Sequence, residues 1–274
     1  MSLSSVDSVQ YATSADGTTI AYEVRGQGPT VVVVEGALCH RAMGAFEELA
    51  PLLAERFTVV GYDRRGRGDS QAGATPYAVQ REVEDLAAVL ECADAHAFVF
   101  GMSSGAALSL EAARQGVLKG RLAVYEPPFI LDDSHPADDP EFTDHLRTLL
   151  AGGHRTRAVK AFLRLLGVPA PVVTVMPVLP VWKRLCAAAD TLPNDFEIVS
   201  PFRRGRPLPE HQYTGISAPT LLMAGGKSPD YMQYVPAAIA AQIPGATTAT
   251  LEGQTHEVKP DVLAPVLERH FTSA

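Results

Sequence analysis

Cysteine and long apolar runs are scarce in this sequence. Its 274 residues include three cysteines, Cys39, Cys92 and Cys186. Because they are odd in number and widely spaced, they predict neither a disulfide framework nor a metal site. The most apolar stretch of the second half, residues 171–182, is interrupted by prolines and is too short to span a bilayer. We therefore expect a reduced, cytoplasmic protein that holds no metal and does not enter a membrane.

Basic residues are outnumbered as well. The chain has 23 lysines and arginines against 31 aspartates and glutamates, which gives a formal charge of -8. Nucleic acid binding needs a stripe of basic residues along the phosphates, so this balance argues against a nucleic acid partner. The first ten residues are polar and have neither the basic start nor the apolar centre of a secretion signal. We expect a small-molecule substrate as the partner, and the sequence leaves the oligomeric state open.

Short apolar runs alternate with amphipathic stretches over most of the chain. Residues 31–34 are four valines, a pattern typical of a strand buried on both faces of a parallel sheet. A hairpin is predicted over 11–25, with a two-residue turn at Asp16 and Gly17. Further strands are predicted at 57–62, 97–102, 122–125, 220–224 and 246–251, and helices at 42–55, 77–92, 104–115, 231–242 and 261–271. This order predicts an α/β protein with a mostly parallel sheet and helices on both faces.

The alternation stops in the middle of the chain. Residues 127–213 are rich in proline and contain helical stretches such as 142–151 and 156–166. We interpret this part as a helical cap inserted into a core made of residues 1–126 and 214–274. In such sheets the active site lies at the carboxyl ends of the strands, so catalytic residues are expected in the loops there.

One of those loops carries a nucleophile pattern. Residues 101–105, Gly-Met-Ser-Ser-Gly, fit G-x-S-x-G and lie between an apolar strand and a helix. The glycines are needed because strand and helix approach closely around a strained turn that presents the serine. We therefore predict that Ser103 is a catalytic nucleophile. The alternative is a turn rich in serine and glycine that has no catalytic role.

Four segments in this order resemble the α/β-hydrolase family. Residues 31–37 look like the family's oxyanion loop and 61–70 like the loop after its next strand. Residues 101–105 look like its nucleophile turn and 253–256 like the loop that carries its histidine. The likeness covers most of the chain and is weakest in the cap. It implies the α/β-hydrolase fold, with a mostly parallel central sheet, helices on both faces and an inserted helical cap. It also implies an enzyme that needs no cofactor.

The resemblance implies a base and an acid beside the serine. A serine hydroxyl needs a neighbouring base, and His256 follows a strand at the catalytic edge. The family usually carries the acid after the strand at 220–224, where this chain has Ser228. Asp230 lies two residues on but is expected to begin the next helix. Some members carry the acid one strand earlier, a position that Glu126 holds here. We prefer Glu126, keep Asp230 as the alternative, and leave open that neither orients His256.

The oxyanion loop contains a second departure from the family. By position in the pattern, the backbone N–H groups of Ala37 and Ser104 would bind the oxyanion. Glu35 lies beside them, where a carboxylate opposes the developing negative charge. Glu35 is either a pocket acid with a raised pKa or a structural residue bonded to nearby backbone or to Arg41. We favour the structural role.

Other residues are candidates for lining the substrate pocket. His40 lies near the oxyanion loop, Met102 precedes the serine, and Trp182 belongs to the predicted cap. Trp182 either walls an apolar pocket or is plain core of the cap, which is the more common role of aromatic residues. The charged residues of 63–69 are expected to hold their loop together by hydrogen bonds.

These residues predict a serine hydrolase. The substrate would be an ester, lactone or thioester of small to medium size and largely apolar character, cleaved through an acyl-enzyme. One alternative is a cofactor-free lyase, cyclase or acyl transferase on the same fold, for example in secondary metabolism. Another is a ligand-binding module that has lost turnover, against which the pair of Ser103 and His256 argues.

Overall fold

A single sheet organises the protein. The computed structural model describes residues 8–73 and 76–273. The strands are β1 (Gln10–Thr13), β2 (Thr19–Gly26), β3 (Thr30–Val34), β4 (Thr58–Tyr62), β5 (Phe98–Met102), β6 (Leu122–Tyr125), β7 (Thr220–Gly225) and β8 (Thr247–Leu251). Within the described residues they form one sheet in the order β1-β2-β4-β3-β5-β6-β7-β8. β1 pairs with β2 and β2 with β4 in antiparallel fashion, and the remaining pairs are parallel, as the alternation of strands and helices predicts.

Helices cover both faces of this sheet. They are α1 (Ala45–Leu53), α2 (Val79–Ala93), α3 (Ser104–Arg114), α4 (Phe142–Ala151), α5 (Arg155–Leu165), α6 (Ala170–Val175), α7 (Val181–Ala187), α8 (Leu192–Val199), α9 (Asp230–Ala240) and α10 (Pro260–Thr272). Val31 and Val33 of β3 join the core on the side of α1 and α10, whereas Val32 and Val34 join the core on the side of α2, α3 and α9. Successive side chains of a strand point to opposite faces, so a run of four buried valines fits a strand covered on both sides.

The segment between β6 and β7 is helical. It contains α4 to α8, and α8 packs against α2 and α3 of the sheet layer. Leu192, Phe196 and Ile198 are buried in the same apolar cluster as residues of α2 and α3. The helices expected in the cap are therefore present, and α8 packs against the core beside the start of α3. In the described part of the chain no single helix is long and apolar enough to cross a membrane. The stretches Ala170–Val178 and Val181–Ala187 reach that length and composition together, but they meet at a bend of 97°.

Two local predictions differ from the structure. The hairpin between β1 and β2 closes through a five-residue loop, 14–18, and the predicted two-residue turn is wrong. Asp16 Oδ1 accepts the Thr18 N–H at 3.0 Å, so the aspartate closes a side-chain turn that lengthens the loop. The first helix begins at Ala45, later than predicted, because His40 and Met43 exchange two backbone hydrogen bonds before it.

Candidate active site

Ser103 lies on the sharp turn that joins β5 to α3. Its backbone has φ 56° and ψ -124°, a conformation that costs a residue with a side chain on the order of 1–3 kcal/mol. A β-carbon on Gly101 would lie 2.6 Å from the Gly105 carbonyl oxygen, and one on Gly105 would lie 2.2 Å from the Val34 carbonyl oxygen. Both contacts are impossible, so the glycines of the pattern are required for β3, β5 and α3 to meet at this turn.

The predicted oxyanion loop runs beside Ser103. A β-carbon built on Gly36 would lie 3.1 Å from Cβ of Ser103. The N–H groups of Ala37 and Ser104 form no hydrogen bond with any residue in 8–73 or 76–273. The Ser104 N–H also lies at the start of α3, where the helix dipole favours negative charge. Two unused backbone donors beside a serine hydroxyl are the elements of a site that binds a developing oxyanion.

His256 and Glu126 are in direct contact. His256 Nδ1 lies 2.8 Å from Oε2 of Glu126, and the other carboxylate oxygen of Glu126 accepts the Gly225 N–H at 2.7 Å. The Glu126 side chain is fully buried, whereas that of His256 is 35 % exposed. Glu126, the first residue after β6, also has φ 46°, in the left-handed region that residues with a side chain rarely adopt. A buried carboxylate on Nδ1 leaves Nε2 of the imidazole free to exchange a proton with a reactant.

Neighbouring strands hold these three residues at one edge of the sheet. The Ser103 N–H donates to the Tyr125 carbonyl at 3.0 Å, which connects the serine turn to the residue before Glu126. The Tyr125 hydroxyl donates to the Thr255 carbonyl at 2.6 Å, next to His256. A β-carbon on Gly225 would lie 2.7 Å from that hydroxyl, so the close approach needs glycine. Tyr125 is a supporting residue that sequence patterns do not single out, because it is one more apolar position of β6.

Among the described residues Asp230 forms no hydrogen bond or ion pair with His256. It is the first residue of α9 and is exposed to solvent, as expected for an acid that stabilises a helix N-terminus. Ser228, at the position where the family usually has its acid, is buried, and its hydroxyl has no partner among the described residues. Because Glu126 contacts Nδ1 of His256, the geometry favours Glu126 over Asp230 as the partner of the histidine.

Glu35 caps a helix. Its side-chain oxygens accept the N–H groups of Ala45 at 2.9 Å and Phe46 at 2.8 Å, in the first turn of α1. Gly44 precedes α1 and offers no side chain of its own, and a β-carbon there would lie 2.2 Å from Oε2 of Glu35. The geometry therefore favours the structural role over a pocket acid, with backbone as the partner and not Arg41.

Burial raises the pKa of Glu35 to about 7, although the two backbone donors and Arg67 oppose the shift. In the unfolded chain the carboxyl ionises near its ordinary value of 4.5, so between these pH values the folded protein binds more protons. The free energy of unfolding should therefore fall by about 3 kcal/mol as the pH rises from 4.5 to beyond 7. The neutral variant Glu35→Gln should lack this component. Urea unfolding of both proteins between pH 5 and 8 measures the difference, and parallel curves would contradict it.

The residues predicted near the substrate pocket differ in how deeply they are buried. Met102 is half-buried at the end of β5, and Ala37 is half-buried beside the serine turn. His40 is half-buried, and burial lowers the pKa of its imidazole. Trp182 is 6 % exposed and belongs to the same apolar cluster as residues of α2 and α3, which favours plain core over a pocket wall.

A buried ionic cluster lies next to the serine turn. Arg64 and Arg67, from the loop after β4, both bind Asp195 of α8 at 2.7 Å. Asp63 holds the same loop by accepting the N–H groups of Arg41 and Asp69, each at 2.9 Å. The predicted internal bonding of the loop is therefore present. Sequence reasoning missed Asp195, because an acid in the first turn of a helix reads as a helix-stabilising residue.

Asp195 carries its charge inside the protein. Burial opposes ionisation, but Arg67 and Arg64 hold the pKa of its carboxyl below the usual value. Among the described residues, no group of three or more histidine, cysteine, aspartate or glutamate side chains is arranged to hold a metal ion. Asp195, Glu82 and the two arginines thus form one connected cluster of opposite charges beside the serine turn.

Comparison with known proteins identifies the family of this chain. A family model described as "Alpha/beta hydrolase family" matches residues 31–266. The crystal structure of an alpha/beta hydrolase from Sphaerobacter thermophilus DSM 20745 is 48% identical in sequence. It superposes with a TM-score of 0.87 over 96% of this chain and 100% of that one.

Curated relatives are also hydrolases. The "Uncharacterized hydrolase YraK" of Bacillus subtilis is 30% identical over 152 residues, which are 54% of this chain and 55% of that protein. The 2-(acetamidomethylene)succinate hydrolase of Mesorhizobium japonicum is 28% identical over 166 residues, 57% of this chain and 56% of that protein. The matched region thus spans about half the length of these relatives. The chain belongs to the alpha/beta hydrolase family and is an enzyme of the hydrolase type.

Proposed function

We propose that the protein is a serine hydrolase that cleaves an ester, lactone or thioester through an acyl-enzyme intermediate. The contact between His256 and the buried Glu126, at the same sheet edge as the strained Ser103 turn, carries the proposal. Such an arrangement supplies a nucleophile, a base and an oriented acid. The half-buried Ala37 and Met102 beside the turn favour a small to medium, largely apolar acyl group.

In the proposed reaction His256 takes the Ser103 proton on Nε2 while the serine oxygen attacks the substrate carbonyl. Glu126 holds the Nδ1 proton and stabilises the imidazolium that forms. The N–H groups of Ala37 and Ser104 bind the oxyanion of the tetrahedral intermediate. His256 then protonates the leaving group and afterwards activates the water that releases the acid.

A burst experiment tests this mechanism. Mixed with excess p-nitrophenyl butyrate, the enzyme should release close to one equivalent of p-nitrophenol per chain before steady turnover, because acylation precedes the slower release of the acid. Intact-mass measurement after acid quenching should show the butyryl adduct. A panel of aryl esters, γ-lactones and acyl thioesters, with products identified by NMR, then ranks the substrates by kcat/KM. Absence of both adduct and acid product across the panel would refute the proposal and favour lyase or binding chemistry.

A further inference from the structure

Asp195 connects the helical segment to the serine turn. Its side chain is 2 % exposed, and its two oxygens accept three hydrogen bonds from different parts of the chain. Oδ1 accepts from the Ser104 hydroxyl and from Arg64 Nη1, each at 2.7 Å. Oδ2 accepts from Arg67 Nη2 at 2.7 Å. One carboxylate of α8 therefore holds the residue that follows Ser103 and two arginines of the loop after β4.

Arg67 extends this connection to the oxyanion loop. Its Nη1 donates to the Gly36 carbonyl at 2.6 Å and to the Cys39 carbonyl at 3.1 Å. In a trans peptide the C=O and N–H bonds point in opposite directions. The peptide that links Gly36 to Ala37 thus has its oxygen held by Arg67 and its N–H turned away from the arginine. A charged donor on the carbonyl also polarises the peptide and strengthens that N–H as a donor.

We propose that Asp195 is a positioning residue that aligns both N–H donors of the oxyanion hole. It acts on the Ala37 N–H through Arg67 and the Gly36 carbonyl, and on the Ser104 N–H through the Ser104 hydroxyl. The proposal rests on the function proposed above. It assigns α8 a part in catalysis without contact to substrate.

The charges of the cluster allow a positioning effect of Asp195 to be distinguished from a purely electrostatic effect on kcat. Arg64 also binds Glu82 through two hydrogen bonds of 2.6 and 2.8 Å, so two arginines face two carboxylates. Replacing Asp195 by asparagine leaves one positive charge uncompensated near the oxyanion. By charge alone that change would stabilise the transition state and raise kcat. A loss of kcat in Asp195→Asn therefore reports lost alignment.

A matched ion pair joins the same loop to α2. Arg65 binds Asp85 through two hydrogen bonds of 2.7 Å, and both side chains are 1 % exposed. This pair has the chemistry and burial of the Asp195 cluster, but Arg65 forms no hydrogen bond with Gly36 or Ser104. Asp85→Asn thus reproduces the cost of removing a buried carboxylate from its arginine. Arg65 keeps Asp16 at 3.1 Å, as Arg64 keeps Glu82 in Asp195→Asn.

The test compares the two variants with p-nitrophenyl butyrate. Asp195→Asn should lower kcat by about 10- to 100-fold with KM changed by less than about 3-fold, since losing one oxyanion donor outright costs about 10²- to 10³-fold. Affinity for phenylboronic acid, which forms an anionic tetrahedral adduct on the serine, should fall by a similar factor. Asp85→Asn should lose thermal stability but keep kcat within about 3-fold of the wild type. Unchanged or higher kcat in a folded Asp195→Asn would overturn the proposal.

A second measurement does not depend on turnover. In ¹⁵N–¹H NMR spectra the Ala37 and Ser104 amide signals should shift in Asp195→Asn and stay in place in Asp85→Asn. If the wild type forms no acyl-enzyme, the proposed function fails, and the amide shifts still decide whether Asp195 orients these two groups. Unmoved amides in Asp195→Asn would overturn the positioning role by themselves.

Discussion

Ser103→Ala should abolish turnover, with kcat lowered by about 10⁵-fold or more, because the nucleophile cannot be replaced by the rest of the site. Alanine keeps the β-carbon, so the strained turn at φ 56° and its packing are unchanged. The variant should also resist labelling by a fluorophosphonate, which reacts with an activated serine hydroxyl. Steady-state kinetics and intact-mass measurement of the labelled protein check both effects.

Ser228→Ala is the matched control for this substitution. Ser228 follows β7 at the same edge of the sheet, is 4 % exposed, and has a hydroxyl without a partner among the described residues. Removing an unsatisfied buried hydroxyl costs little or stabilises the fold, so labelling and kcat should stay near the wild type. Labelling that survives Ser103→Ala would sink the assignment of the nucleophile.

The sheet was predictable from local patterns because each strand carries its own signal. The valines of β3 are buried on both faces of the sheet, and their apolar character alone indicates that environment. Ser103 and Glu126 could also be predicted. Each is a polar residue directly after an apolar strand, where the strand itself gives no reason for a polar side chain. The hairpin loop at 14–18 could not be predicted, because its conformation depends on a hydrogen bond that the Thr18 N–H donates to the Asp16 side chain.

Contacts between distant segments could not be read from the sequence. Ser104 and Asp195 are 91 residues apart, and the acid sits in a helix whose pattern is that of any amphipathic segment. Glu35 caps α1 from ten residues before it, because the position just ahead of the helix is glycine and has no side chain to offer. In both cases the tertiary structure determines which residues become partners, and local propensity gives no indication of the pairing.

The two carboxylate oxygens of Glu126 have different partners, and this division predicts what an amide would do at the same position. Oε1 accepts the Gly225 N–H, and Oε2 faces Nδ1 of His256. In Glu126→Gln the amide oxygen can keep the bond to Gly225, which leaves the NH₂ group toward Nδ1. A donor there forces the imidazole proton onto Nε2, the nitrogen that accepts the proton of Ser103 in the proposed mechanism. The substitution thus selects the wrong tautomer while it preserves the shape of the site.

Glu126→Gln should therefore lower kcat by about 10³- to 10⁴-fold with little change in KM, as expected when the base is held in the wrong tautomer. Asp230→Asn is the comparison, because Asp230 is exposed at the start of α9 and its loss removes only a helix-terminus interaction. That variant should keep kcat within about 2-fold and lose at most about 1 kcal/mol of stability. Hydrolysis of p-nitrophenyl butyrate by both variants decides the assignment. A collapse of activity in Asp230→Asn with near-normal Glu126→Gln would reverse it.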